Sequence, residues 1–132
     1  MIVDASALLA LVFGEDDADR IQAAIVRMAR PRISVVNWLE AAIRADRLGD
    51  ERLPPLLADT LARIDCEVVT ATPEHGYLAR DAYRRYGKGS GHAAKLNMGD
   101  CFAYALAKST GEPLLFKGDD FRHTDIEPAL TD

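Results

Sequence analysis

The sequence predicts an α/β fold with a parallel sheet covered by helices on both faces. Two observations predict it. Short apolar or β-branched segments alternate with longer segments of helical spacing along the whole chain. Acidic residues recur where those short segments end, and in such folds the ligand site lies beyond the carboxyl ends of the strands, near a topological switch point. With 132 residues the chain is expected to form one domain, 1–132, large enough to bury its own core.

Ile2-Val3 reads as the first strand, with Asp4 at its end. Ser6 could cap a helix over Ala7 to Phe13, which Gly14 breaks. Glu15, Asp16 and Asp17 put negative charge at the start of the next helix, where the dipole favours it. That helix runs to about Met28 on the spacing of Ile21, Ala24, Ile25 and Met28, and Pro31 stops it. Ile33 to Val36 is β-branched apart from Ser34 and reads as the second strand. A helix from about Trp38 to Leu48 ends at Gly49. Pro54 and Pro55 suit the first turn of another helix, reaching about Ile64. Glu67 to Thr70 is the third strand, and Pro73 opens a helix carrying Tyr77, Tyr83 and Tyr86. Glycines 87, 89 and 91 make a flexible loop. A long helix from Met98 to about Ser109, a strand over Leu114 to Phe116 and a turn at Gly118 follow, with Asp125-Ile126 as one more short strand.

The composition, 48% hydrophobic and 28% charged, is that of a soluble globular chain and not a disordered one. A net charge of −5 gives no global attraction to nucleic acid, so any such contact needs a local basic patch. No apolar run approaches the ~18 residues that span a membrane, and Asp4 interrupts the apolar N-terminus, which argues against a signal peptide. Cys66 and Cys101 stand alone, without zinc spacing, and read as small buried residues in a reducing cytoplasm.

Four acidic positions stand out. Asp4 is either a cap or a metal ligand at the strand end, and Ser6 could hydrogen-bond to it or cap the helix itself. Asn37-x-x-Glu40 and Asn97-x-x-Asp100 both match capping boxes, so each acid taken alone reads as a cap. Asp119 and Asp120 follow Gly118, and since neighbouring side chains usually point apart, one of the two would enter a site. All four positions fall near predicted strand ends or on the helices just beyond them. Carboxylates without a His or Cys cluster suit hard cations such as magnesium or manganese, and crowding like charges without a cation is costly. Such an ion can activate a water and stabilise charge on a phosphate undergoing displacement.

The segments MIVDASAL, the helix with Glu40, LNMGDCFAYALAK, PLLFKGDDF and HTDI, in this order, resemble the PIN-domain ribonucleases, and within them the VapC toxins of bacterial toxin–antitoxin pairs. The resemblance runs from Met1 to about Ile126. It implies a three-layer α/β/α sandwich around a short parallel sheet. It implies metal ligands and catalytic acids at Asp4, Glu40, Asp100 and either Asp119 or Asp120, with Ser6 assisting. The spacing to Phe121 is shorter than the family's T-x-D-x-x-F, which leaves those last two acids as alternatives. It further implies Mg²⁺- or Mn²⁺-dependent endonucleolytic cleavage of RNA, often tRNA or ribosomal RNA, with a VapB-type antitoxin as partner and a homodimer as the assembly.

Arg80, Arg84, Arg85, Lys88 and Lys95 place five basic residues ahead of Asp100, with Tyr83 and Tyr86 interleaved. Aromatic faces can stack on unpaired bases, so this segment is the expected RNA path, with Lys117 a further phosphate contact. The expected reaction is hydrolysis leaving a 3′-hydroxyl and a 5′-phosphate. The rival reading is a non-catalytic protein- or RNA-binding module in which the acids only cap helices. A phospho-acceptor domain would want an Asp after the third strand, where Ala71-Thr72 stands, and a haloacid-dehalogenase-type phosphatase would want Asp-x-Asp where the chain has Asp4-x-Ser6.

Overall fold

The computed structural model describes residues 1–130. Four strands, β1 (Ile2–Val3), β2 (Arg32–Ser34), β3 (Glu67–Val69) and β4 (Leu114–Leu115), form one parallel sheet in the order β3-β2-β1-β4. Six helices surround it: α1 (Ala5–Phe13), α2 (Ala18–Met28), α3 (Val35–Arg47), α4 (Leu53–Arg63), α5 (Pro73–Tyr86) and α6 (Met98–Thr110). A 3-10 turn, Asp120–His123, follows β4.

Strands β1 and β4 are short and wholly buried, whereas β3 at the edge is largely exposed, and the pleat sends neighbouring side chains to opposite layers. Val3 and Leu115 join the core formed with α1 to α4, through Leu8, Ile21, Ala41 and Leu57. Ile2 and Leu114 join the core formed with α5 and α6, through Ala82, Tyr104 and Leu106. The result is the α/β/α sandwich expected. α1 belongs mainly to the core: Ala7, Leu8, Ala10 and Val12 are buried, and Leu9, Leu11 and Phe13 pack against them half-covered.

The strand order reverses at β1. The chain builds outward through β2 and β3, then returns to place β4 on the other side of β1. The switch point therefore lies between the carboxyl ends of β1 and β4, where the backbone N–H of Asp4 donates to the carbonyl of Leu115 at 2.9 Å.

Three elements differ from the sequence expectation. β2 ends at Ser34, because the Ser34 side chain accepts the Val36 N–H and starts α3 at Val35. A Ser cap outweighs the small helix penalty of Val35 and Val36, so Asn37 is inside α3 and is not its cap. α1 begins at Ala5 with Asp4 as its cap, so Ser6 does not cap it. Asp125-Ile126 forms no strand: Asp125 is held by Tyr104 and Lys108, Ile126 is buried, and the β4 edge is met instead by Pro128. Among the described residues no helix is long and apolar enough to cross a membrane.

Candidate active site

The site is built from the ends of two strands and the starts of two helices. Asp4 leaves β1 and is buried. Its Oδ2 accepts the Ser6 backbone N–H at 3.0 Å and the Ser6 hydroxyl at 2.6 Å. Its Oδ1 is buried and has no hydrogen-bond partner among the described residues. The same Ser6 Oγ accepts the backbone N–H of Lys117 at 2.9 Å. Ser6 thus ties the end of β1 to the segment leaving β4.

Glu40 reaches the site from the second turn of α3. Asn37, one turn earlier and fully buried, donates from Nδ2 to Glu40 Oε1 at 2.8 Å and to the Gly99 carbonyl at 2.9 Å. Gly99 belongs to the first turn of α6, and a Cβ built there would fall on the Glu40 carboxylate. Asp100 follows directly. It forms the capping box expected, with Asn97 Oδ1 accepting its N–H at 2.8 Å and its own Oδ2 accepting the Asn97 N–H at 3.0 Å. The cap uses one carboxylate oxygen and leaves Oδ1 uncommitted.

Electrostatics bind these acids into one unit. Burial, helped by the charges of Asp4, Glu40 and Asp120, raises the Asp100 carboxyl to about 7 against the pull of its cap. Burial likewise raises Glu40, with Asp4 adding to the effect. Burial raises Asp4 too, opposed by its bonds to Ser6 and reinforced by Asp120. Asp120, at the head of the 3-10 turn, is therefore within the field of the cluster. Asp119 points to solvent, with its side chain 87% exposed, and meets Arg122 Nε at 3.6 Å. Both adjacent acids are exposed, and of the two it is the charge of Asp120 that raises Asp4 and Asp100.

The donors are all hard oxygens, and one of them is a buried carboxylate oxygen with no partner. Those features fit a hard divalent cation. Among the described residues no three side chains close around one point as they stand.

The family profile of the PIN domain matches residues 1–127. The chain belongs to the PIN-domain family. Ribonuclease VapC42 of Mycobacterium tuberculosis is 48% identical over 134 residues, covering 99% of this chain and all of that protein. Ribonuclease VapC30 of the same organism is 44% identical over 126 residues, covering 96% and 95% of the two chains. A chain from a toxin–antitoxin complex of Klebsiella pneumoniae shares the fold, with a TM-score of 0.65 over 91% of this chain and 88% of that one, at 19% identity.

In this PIN domain the basic segment divides into three groups. Arg80 and Arg84 are exposed on α5. Lys88 and Lys95 line one cavity in the following loop, together with Gly89, Gly91 and His92. Arg85 turns back onto the fold: it lies 4.7 Å over the Tyr86 ring, donates to the Tyr86 and Tyr104 hydroxyls and faces Asp81 and Asp125. Of the two tyrosines expected to stack on bases, Tyr83 is exposed, whereas Tyr86 is buried in the core. Lys117 Nζ pairs with Glu15 at 3.2 Å. Sequence reasoning missed Asn37 and Gly99 as parts of the site. A usable signal was present, since a glycine inside a helix start is disfavoured unless something approaches it closely.

Proposed function

We propose that this single-domain chain is the toxin of a type II toxin–antitoxin pair, a cytoplasmic Mg²⁺- or Mn²⁺-dependent endoribonuclease that inhibits translation by cutting tRNA or ribosomal RNA. The observation that carries this reading is the gathering of acids at the switch point, where the charges of Asp4, Glu40 and Asp120 all raise the buried Asp100 carboxyl. The 48% identity to a protein named a ribonuclease supports it along the whole chain.

Asp4, Glu40, Asp100 and Asp120 would hold the cation, and the ion would supply water activation and charge stabilisation at the phosphate. The chain's own part is pre-organisation. Ser6 fixes one oxygen of Asp4 and leaves the other facing inward. The Asn97 cap does the same for Asp100. Without a cation, burial and repulsion keep a proton on Asp100 to about pH 7, so the pocket recruits positive charge at neutral pH. Arg80, Arg84, Lys88 and Lys95 would guide the RNA backbone. Hydrolysis would leave a 3′-hydroxyl and a 5′-phosphate.

The partners on this reading are a VapB-type antitoxin and a second copy of the chain. α3 presents Val35, Leu39 and Ile43 to solvent at intervals of four, an apolar stripe suited to a protein contact.

The test is cleavage of total cellular RNA by antitoxin-free protein with Mg²⁺, Mn²⁺ or EDTA, alongside Asp100→Asn. Discrete fragments that need the metal and vanish in the variant are expected. Metal-independent binding without cleavage, unchanged in Asp100→Asn, would instead make the acids simple caps.

A further inference from the structure

We propose that Asn37 and Gly99 form a seat for the Glu40 carboxylate, and that both are positioning residues for the divalent-cation site. The inference rests on the metal-site reading above and concerns a different pair of residues.

Two independent observations carry it. The first is Asn37. Its side chain is fully buried between α3 and α6, and both of its polar contacts are donations from Nδ2, to Glu40 Oε1 and to the Gly99 carbonyl. Its Oδ1 is buried without a partner among the described residues. An apolar side chain of the same size would avoid that unpaired acceptor, so the amide is disfavoured for packing alone. What it adds is a clasp that orients Glu40 against the start of α6.

The second is Gly99. Its φ is not in the left-handed region, so the backbone does not require glycine there. The nearest atoms to a Cβ at this position all belong to the Glu40 carboxylate. The missing side chain is the space that Glu40 occupies. The next residue is Asp100, so the seat sets the spacing of two of the four acids.

Gly99→Ala separates siting from folding. Alanine suits the helix better than glycine, and the group in its way is the end of a flexible side chain, which can move. The expected result is a folded protein, at least as heat-stable as wild type in EDTA, whose Mn²⁺ affinity by calorimetry falls about tenfold. Asn37→Leu is expected to weaken Mn²⁺ binding similarly. In a Glu40→Gln background Gly99→Ala is expected to add nothing, because both act through one carboxylate.

A folded Gly99→Ala protein with Mn²⁺ affinity within about twofold of wild type overturns the proposal, as does a full additional loss on top of Glu40→Gln. Wild-type protein that takes up no Mn²⁺ also overturns it. RNA cleavage is scored in parallel. Mn²⁺ binding that follows the seat without any cleavage would leave the seat standing and remove the nuclease reading. Cleavage with Mn²⁺ binding indifferent to the seat would do the reverse.

Discussion

Ser6 donates its hydroxyl to Asp4 Oδ2 at 2.6 Å, the shortest of the bonds holding that buried acid. The hydroxyl also receives the Lys117 N–H, so one oxygen atom joins the two strand ends that flank the switch point. Ser6→Ala removes both contacts at a partly buried position. A loss of about 1–3 kcal/mol is expected in urea unfolding, together with weaker Mn²⁺ binding, because Asp4 loses its orientation. Wild-type stability in Ser6→Ala would show that the bond has no structural weight.

Asp119 and Asp120 are adjacent yet differ in surroundings. Asp120→Asn is expected to lower kcat by about a hundredfold or more, whereas Asp119→Asn, at a side chain 87% exposed, leaves it near wild type. Carboxyl NMR offers a second readout. Asp120→Asn should bring the Asp100 titration down from about 7, since one of the charges that raise it is gone.

Stability in EDTA should fall as pH rises across the titration range of the cluster. Asp100 titrates near 7 in the fold against a reference of 3.8, so between those values the folded chain holds more protons than the unfolded one. Burial raises Glu40 and Asp4 in the same direction. Thermal melts at intervals across that window are expected to show declining stability for wild type and a shallower decline for Asp100→Asn. Mn²⁺ should restore more stability near neutral pH than near pH 4, because the ion and the proton compete for the same oxygens. A flat profile in EDTA would mean that the acids do not share a buried field.

The basic residues of the RNA path should separate by their existing contacts. Arg80→Ala and Arg84→Ala are each expected to weaken single-stranded RNA binding and to reduce the salt slope by about 0.7. Arg85→Ala should chiefly lower the melting temperature, since its guanidinium is engaged with Tyr86, Tyr104 and Asp125. Equal salt slopes for all three variants would contradict this division.

The layers of the fold were legible because they depend on local signals. The apolar pairs at Ile2-Val3 and Leu114-Leu115, the prolines opening α4 and α5 and the capping box at Asn97 and Asp100 all act within a few residues. The Asn37-x-x-Glu40 pattern misled for the same reason. It has the form of a cap, but Ser34 starts the helix first, and the amide of Asn37 donates to the Glu40 side chain and to a carbonyl 62 positions away.

By itself the sequence determined the α/β class, the order of the elements and the set of acids that follow the strands. It left Asp119 and Asp120 as equals and read Arg85 as one of a row of like cations. Tertiary structure separated them, because their neighbours come from distant segments. Asp120 feels Asp4 and Asp100 across the strand ends, while Asp119 turns to Arg122. Arg85 finds Tyr104 and Asp125 on later elements. The seat of Glu40 is likewise a meeting of α3 with α6. Caps and periodicity are short-range and are written in neighbouring residues, whereas burial, field and close approach exist only once the chain has folded.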